Sequence, residues 1–420
     1  MMRKRNIIAI TILLILGVGA LAADTMPDAN NLTKLEDYLK FAALGNAELK
    51  AKFEEWNAAV QQIPQVKSLP DPKVTYEVDT EVGTDMYALS IMQEFPWFGT
   101  LQVRGDSAAA TANAAYKRYE AAKLKLSYEV KKEFYEYVYL ASAVQIAREN
   151  LELVKHFQEV ALTKYQTSAA SSPDVIRAQT ELANLEYVLK SLEELQKPIV
   201  AGLNAILNRP ITEELPWPEK PQANSISLDR NRIIEAIRGN NPELASLNFE
   251  LEAAKNNVAA AKKRFYPDLG IGLQKQKGMT SMNGDDDRVM LMFSISLPLW
   301  RQNYRAAQLQ TKADQSRVQQ EKVNTENNIM AQAMQALYDF EDSARKIHLY
   351  GDVLIPKVQE LVMNSETAYK AGTVDFFSLI DSQRMLLEYR LMYERALADN
   401  AQKLAELEML AGIQMSTANK

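Results

Sequence analysis

The stretch Arg288-Val289-Met290-Leu291-Met292-Phe293-Ser294-Ile295-Ser296-Leu297 reads as a strand with two unlike faces. Val289, Leu291, Phe293, Ile295 and Leu297 fall on one side, and Met290, Met292, Ser294 and Ser296 on the other. A period of two sends successive side chains to opposite faces, so one face is apolar and the other is smaller or more polar. Residues 74–79, 87–95 and 269–276 have the same character. In the first of these, Val74, Tyr76 and Val78 alternate with Thr75, Glu77 and Asp79. Two-faced strands of about 9–11 residues are the material of membrane β-barrels. Four cannot close a barrel, since about eight is the smallest number that does. The expectation is a barrel shared among copies of the chain. Thr75, Glu77, Ser294 and Ser296 would then face a wet lumen. Tyr76, Tyr87, Phe95, Trp97 and Trp300 lie near strand ends, where aromatic belts form.

Everything between these strands reads as helix or connector, and the pattern occurs twice. Residues 46–72 align without gaps on 241–267, an offset of 195, with 8 of 27 positions identical. The segment ending at Phe95-Pro96 aligns on Leu297-Pro298 at an offset of 202, and Thr163, Tyr165, Ile176, Gln179 and Leu182 align on Thr367, Tyr369, Ile380, Gln383 and Leu386 at 204. Such self-similarity marks a structural repeat. Repeat one is expected over 23–227, with its hairpin at 73–96, and repeat two over 228–413, with its hairpin at 267–298; 414–420 is a tail. Each repeat reads helix, hairpin, long helix, turn, helix. The expected helices are 34–66, 101–165 and 173–207, then 228–263, 303–369 and 376–410. A Pro-rich linker, 208–227, joins the repeats, and the extra residues of the second hairpin are expected in its turn, 277–287.

A helix of roughly 65 residues is about 98 Å long at ~1.5 Å per residue, which calls for coiled-coil packing rather than a globular core. Leu182, Leu185, Leu189, Leu192, Ile199, Leu203 and Ile206 form a stripe at three-or-four spacing, suited to knobs-into-holes packing. Glu181, Lys190, Glu194 and Lys197 read as the solvated opposite face. Alanines crowd 108–115 and 253–261, where small side chains let helices approach closely and also favour helix.

The chain opens with Arg3, Lys4 and Arg5 before an apolar run, 7–19, and the small-x-small triplet Ala20-Leu21-Ala22. This is the form of a secretory signal spanning 1–22. Its removal takes the 48 basic residues to 45 against 54 acidic, a net charge of −9. No basic stripe argues for nucleic acid. The absence of cysteine excludes disulfides and thiolate metal sites. No G-x-G-x-x-G, P-loop, HExxH or GxSxG signal is present, so an enzyme is not expected, and no cofactor. Sixteen methionines raise the question of soft-metal passage. Met86, Met92, Met290 and Met292 fall on or near the lumen side, and Met279 and Met282 in the outer turn. Methionine also fills irregular packing sites, and His156 and His348 are the only histidines, so no resident metal is expected. Asp285, Asp286 and Asp287 read as a solvated turn.

The segments "GNAELKA" at Gly45, "NNPELAS" at Asn240, "LPDPKV" at Leu69, "FYPDLGI" at Phe265, "EFPWFGT" at Glu94, "LPLWRQN" at Leu297 and "YKAGTVDFFSLIDSQ" at Tyr369 together resemble the TolC-type outer-membrane efflux proteins, and within them the CzcC-like heavy-metal and cation branch. The likeness runs over 32–413. It implies a mostly α chain with a small membrane β-barrel, a homotrimer with four strands per protomer closing a twelve-strand barrel. It implies a long helical tunnel in the periplasm that meets a periplasmic adaptor (membrane fusion) protein and an inner-membrane pump. The rivals are an exit duct for drugs or type I protein secretion, and, in another class, a periplasmic coiled-coil adaptor or scaffold. The resemblance places an aperture at the periplasmic helix ends. Asp381 fits the second of two family aspartates there, Ser378 replaces the first, and Asp174 aligns with Ser378. The other reading makes Asp174 a helix cap and pairs Asp381 with Arg384 or Arg177. The turns at Ser171, Ser172 and Pro173 and at Gly372 and Thr373 would dock the adaptor.

Overall fold

This computed structural model describes residues 32–81, 84–167, 170–221, 228–280 and 284–415. The expected signal segment and the last residues of the tail lie outside them, as does Met282. The first repeat runs α1 (Leu35–Gly45), α2 (Ala47–Lys67), β1 (Lys73–Glu81), β2 (Thr84–Phe95), α3 (Thr100–Gln166) and α4 (Ser172–Ile206). The second runs α5 (Arg230–Asn240), α6 (Pro242–Lys263), β3 (Asp268–Thr280), β4 (Gly284–Ser296), α7 (Arg301–His348), a π-helical segment (Leu349–Leu354), α8 (Ile355–Ala371) and α9 (Phe376–Ala411).

Where one opening helix was expected, each repeat has two. The break falls at Asn46 and at Asn241, the first residue of the repeated motif. Both leave helical geometry, with ψ of 126° and 119°. Asn46 Oδ1 accepts the Leu49 N–H at 2.9 Å, and its amide donates to the Ile206 carbonyl at 3.0 Å. Asn241 does the same, accepting from Leu244 at 2.9 Å and donating to Leu410 O at 2.8 Å. One side chain thus caps a starting helix and ties it to the ending helix of the same repeat, satisfying orphan groups at both. The expected continuous helix over 303–369 is also interrupted. The repeat offset grows from 202 to 204 along it, and the π-helical segment Leu349–Leu354 is where added residues are taken up without ending the helix. Pro198 sits inside α4, which continues through it.

The four strands form one antiparallel sheet in the order β1-β2-β3-β4. The extra residues of the second hairpin do not make a longer turn. They lengthen the strands, which pair down to Thr280 and Gly284. Asp287 is therefore a strand residue opposite Lys277, and its carboxylate lies 3.1 Å from Lys275 Nζ. The backbones of Asp285 and Asp286 pair within the same ladder, correcting the solvated-turn expectation for all three.

Each strand leads into a helix, and the helices follow the order of the strands: α2 packs on α3, α3 on α6, and α6 on α7. Ala110, Ala112, Ala114 and Ala115 of α3 and Ala253, Ala254 and Ala261 of α6 are buried in this layer. Ser107 hydroxyl donates across it to Asn257 Oδ1 at 2.7 Å. Below, two apolar cores repeat one design. Tyr38 and Phe41 of α1 meet Val130, Phe134 and Tyr137 of α3 and Leu203 of α4. Ile233 and Ile237 of α5 meet Ala333, Leu337 and Phe340 of α7 and Leu407 of α9. The linker is strapped onto the first core, with Trp217 stacked on Tyr137 and Tyr137 hydroxyl donating to Leu215 O at 3.0 Å. Among the described residues no helix is long and apolar enough to cross a membrane.

Asn46→Ala and Asn241→Ala each remove a cap and a tie. Each should cost about 1–2 kcal/mol and open the α1–α2 or α5–α6 junction to limited proteolysis. Equal protease resistance of both variants and the parent would refute the tie.

Candidate functional site

The register assigns every strand residue to a face. Thr75, Glu77, Ser90, Met92, Gly270, Gly272, Gln274, Met290, Met292, Ser294 and Ser296 share one face. The other carries Val74, Tyr76, Val78, Tyr87, Leu89, Ile91, Leu273, Leu291, Phe293 and Ile295. All four residues expected to line a lumen therefore lie together on the polar face. The apolar face is bare: Val289 is 72% exposed, Phe293 71% and Leu297 65%. Tyr76 and Tyr87 stack on it, 6.4 Å apart, Tyr76 within β1 rather than at its end. Trp97 lies below the strands, stacked on Tyr266 at 5.1 Å with its N–H held by Asp268 at 2.9 Å. Trp300, at the foot of β4, is 81% exposed.

On the polar face the strands come unusually near. Met92 reaches over β3 toward Ser294, Sδ to Oγ 3.8 Å. A Cβ at Gly272 would stand 2.7 Å from the Ile91 carbonyl oxygen and 3.1 Å from Met92 Sδ. Glycine is needed there because a side chain would push β3 off β2. The side chains of Met86 and Met279 are outside the described set. Met92, Met290 and Met292 share the polar face, and the described residues contain no cluster of histidine, cysteine and carboxylate able to hold a metal ion.

At the far end of the helices the two turns lie side by side. Lys164 Nζ, from the end of α3, donates to the Tyr369 carbonyl at the end of α8, and its charge stands 4.6 Å from the Tyr369 ring. Burial, assisted by the nearby Asp174 charge, pushes the Tyr369 hydroxyl up to about 12. Asp174 Oδ2 accepts the Ser171 N–H at 3.3 Å as part of the N-terminal cap of α4, with Ser172 and Pro173 in its first turn. Ser378 is likewise engaged: its N–H and hydroxyl both donate to Asp375 Oδ1, at 2.9 and 2.6 Å. Those bonds hold the Asp375 carboxyl below its ordinary range. Gly372 ends α8 at φ +78° with open space around it, and Thr373 N–H returns to Ala368 O at 2.9 Å. Any other residue is strained at that φ.

Asp381 is exposed on α9 and takes part in no ion pair among the described residues. The pairing expected with Arg384 or Arg177 does not form. Arg384 turns to Glu181, its Nε donating at 3.0 Å and its Nη2 closer still; Arg177 lies over the Phe377 ring at 5.7 Å. Glu181, expected on a solvated face, is 3% exposed. The carboxylate raises the Arg384 guanidinium above its ordinary value. On the same turn of α9, Gln383 donates to Asn150, both buried. Glu181 and Lys164 carry no sequence signal of these roles, since each pairs with a residue about 200 positions away. Asp375 does carry one: an aspartate directly before an apolar helical run is an N-cap pattern.

Fold and site together define a class: an outer-membrane efflux channel of the TolC type, a transport protein and not an enzyme. Residues 233–413 match the family model for outer membrane efflux proteins. It is 20% identical to a cobalt-zinc-cadmium resistance protein, CzcC, of Cupriavidus metallidurans, over 90% of both chains. It is 19% identical to a toluene efflux pump outer membrane protein, TtgC, of Pseudomonas putida, over 78% of this chain and 67% of that one. Among solved structures, the outer-membrane channel OprN superposes with a TM-score of 0.78 at 18% identity, over 90% of this chain and 89% of the other. CusC gives 0.79 at 14%, over 90% and 92%.

Arg384→Gln strands a buried carboxylate and should cost about 3 kcal/mol or more. Adding Glu181→Gln should restore most of it. Thermal unfolding of the helical signal in the single and double variants reads both, and equal losses would refute the pairing.

Proposed function

We propose that three copies close a twelve-strand barrel in the outer membrane and continue below it as one helical tunnel. The carrying observation is a coincidence of open sides. β1 and β4 leave the sheet unpaired on two edges, and α2 and α7 are the end members of the helical layer on the same two sides. Joining β4 of one copy to β1 of the next satisfies both together, and unpaired backbone is not tolerated in lipid. β3 and β4 have 13 residues each, about 44 Å at ~3.4 Å per residue. Tilted by about 45°, they match a hydrocarbon layer of ~30 Å. The bare apolar face meets lipid, and Thr75, Glu77, Ser294 and Ser296 line the water-filled side. A periplasmic coiled-coil scaffold would have no use for such a sheet.

In this reading the channel is the passive exit duct of a tripartite system. The two exposed helical turns, around Ser171 to Pro173 and Gly372 to Thr373, receive a periplasmic adaptor, and an inner-membrane pump supplies the energy. Asp381, exposed near those turns and in no ion pair among the described residues, would stand three times around the aperture and favour cations. Asp174 and Ser378 hold the local helix starts in shape. The cargo we infer is heavy-metal cations, supported by the likeness to CzcC over 90% of both chains and by that unpaired carboxylate. Drug efflux is the second reading, supported by the likeness to TtgC and OprN.

Purified protein should run as a heat-modifiable trimer and conduct ions in planar bilayers with a preference for cations. Asp381→Asn should weaken that preference while leaving the trimer intact. Gly372→Val should reduce cross-linking to the adaptor. A detergent-free monomer would overturn the channel assembly. A deletion strain sensitive to drugs but indifferent to zinc, cobalt and cadmium would overturn the metal cargo alone.

A further inference from the structure

The charge around the sheet is strongly polarised along the strands. Where strands meet helices, residues 65–74, 93–106, 260–270 and 295–306 hold eight basic and four acidic side chains, a net charge of +4 in a chain whose total is −6. At the opposite end, residues 79–88 and 275–288 hold six acidic and three basic, a net of −3. At the basic end few of the cations are neutralised. Glu94 is taken by Lys73 at 2.6 Å, and Asp268 by the Trp97 N–H. Lys67, Arg104, Lys262, Arg264, Arg301 and Arg305 are all exposed, and none forms an ion pair among the described residues. Neither α3 nor α7, which start at this level, has an acidic residue in its first turn.

These cations are interleaved with exposed apolar and aromatic surface. Phe98 is 74% exposed, Leu299 71% and Trp300 81%. Lys263 Nζ bonds the Phe98 carbonyl at 3.1 Å, and the Arg264 guanidinium lies over the Tyr304 ring at 5.7 Å. Arg301 and Arg305 stand four residues apart on one side of α7, directly after Trp300. A surface that passes from bare apolar strands through exposed aromatics to unpaired arginines matches, layer by layer, acyl chain, interface and headgroup. Guanidinium groups are suited to phosphate because they can donate two parallel hydrogen bonds to it.

We propose that this basic collar binds the phosphodiester groups of anionic phospholipids in the periplasmic leaflet, fixing the depth of the channel in the membrane. The proposal rests on the outer-membrane channel reading and names the lipid that its foot recognises. Three copies would bring the collar to three times its charge around one ring, while the acidic tips repel the same lipids at the other boundary.

The test uses the full assembled protein in mixed micelles of phosphatidylcholine with about one quarter phosphatidylglycerol. Phosphatidylglycerol retained per trimer is measured at low and at high salt. The parent should retain it above its bulk share, with retention falling as salt rises. The variant R264Q/R301Q/R305Q should lose that enrichment by at least about fivefold, and R104Q/K262Q should lose part of it, which keeps the test open if the triple variant fails to assemble. K190Q/K197Q, remote on α4, should match the parent. Unchanged enrichment in both collar variants would overturn the proposal. So would full displacement of the lipid by inorganic phosphate, which would make the collar a site for the free ion. A heat-modifiable trimer in phosphatidylcholine alone would show that the barrel stands even where the headgroup preference fails.

Discussion

A sheet that shows lipid an apolar face cannot leave its edges open, and the described residues of this chain make four strands. Much of the architecture answers that constraint. Hydrocarbon offers no partner to the N–H and C=O groups of β1 and β4, so the sheet must find its neighbours in other copies. The helices below obey the same geometry because each is the direct continuation of a strand. A strand order of β1-β2-β3-β4 forces a helix order of α2-α3-α6-α7, and the open sides of the two layers coincide. The glycine at 272 belongs to the same answer. The polar face must close around a lumen, and strands brought this near leave no room for a Cβ between Ile91 and Met92.

Repetition supplies the rest of the frame. Each repeat must turn its chain from a short helix, α1 or α5, into a strand-bearing one without exposing helix ends. Asn46 and Asn241 do this with the same two side-chain atoms and nearly the same distances. The cores beside them use the same helices in the same roles but different side chains. Tyr38 and Phe134 make an edge-to-face pair in the first, while alanines at 333 and 336 face isoleucines in the second. Polar end groups demand a particular side chain at a particular place, whereas apolar volume can be filled in several ways. That difference explains why the asparagine survives between the repeats and the core does not.

Features that reside in local pattern were legible from sequence. The two-residue alternation at 288–297 predicts β4 and its faces, and the doubled Asn-x-Glu-Leu motif exposes the repeat. The same motif concealed a helix break, because an asparagine inside an otherwise helical run reads as tolerated rather than as a cap. The Gly- and Asp-rich 277–287 read as a turn because composition there favours turns. The ladder instead extends through it, as pairing with a neighbouring strand overrides weak local preference. Glu181 was least legible of all. A carboxylate reads as solvent-facing, yet Ala178 and Leu185, one turn to either side, are buried with it, and Arg384 arrives from α9 to pair with it.

The molecule is built of two kinds of seam. In the cores around α1 and α5 the helices are held by large apolar side chains with almost no exposure, such as Tyr38, Phe134, Ile237 and Leu407. Separating them exposes apolar area to water at every step. Toward the periplasmic tip the first helical pair meets the second through polar groups as well as apolar ones: Glu181 with Arg384, Asn150 with Gln383, and Lys164 with the end of α8. Water can replace those partners once it enters, so parting them costs far less than parting an apolar seam of equal length. An apolar cluster joins the two pairs at the tip as well, Phe157 and Ala178 of the first packing with Val362 and Phe376 of the second. The tip seam is thus mixed where the upper cores are apolar, and it ties the two turns through contacts that water can exchange as well as contacts it cannot.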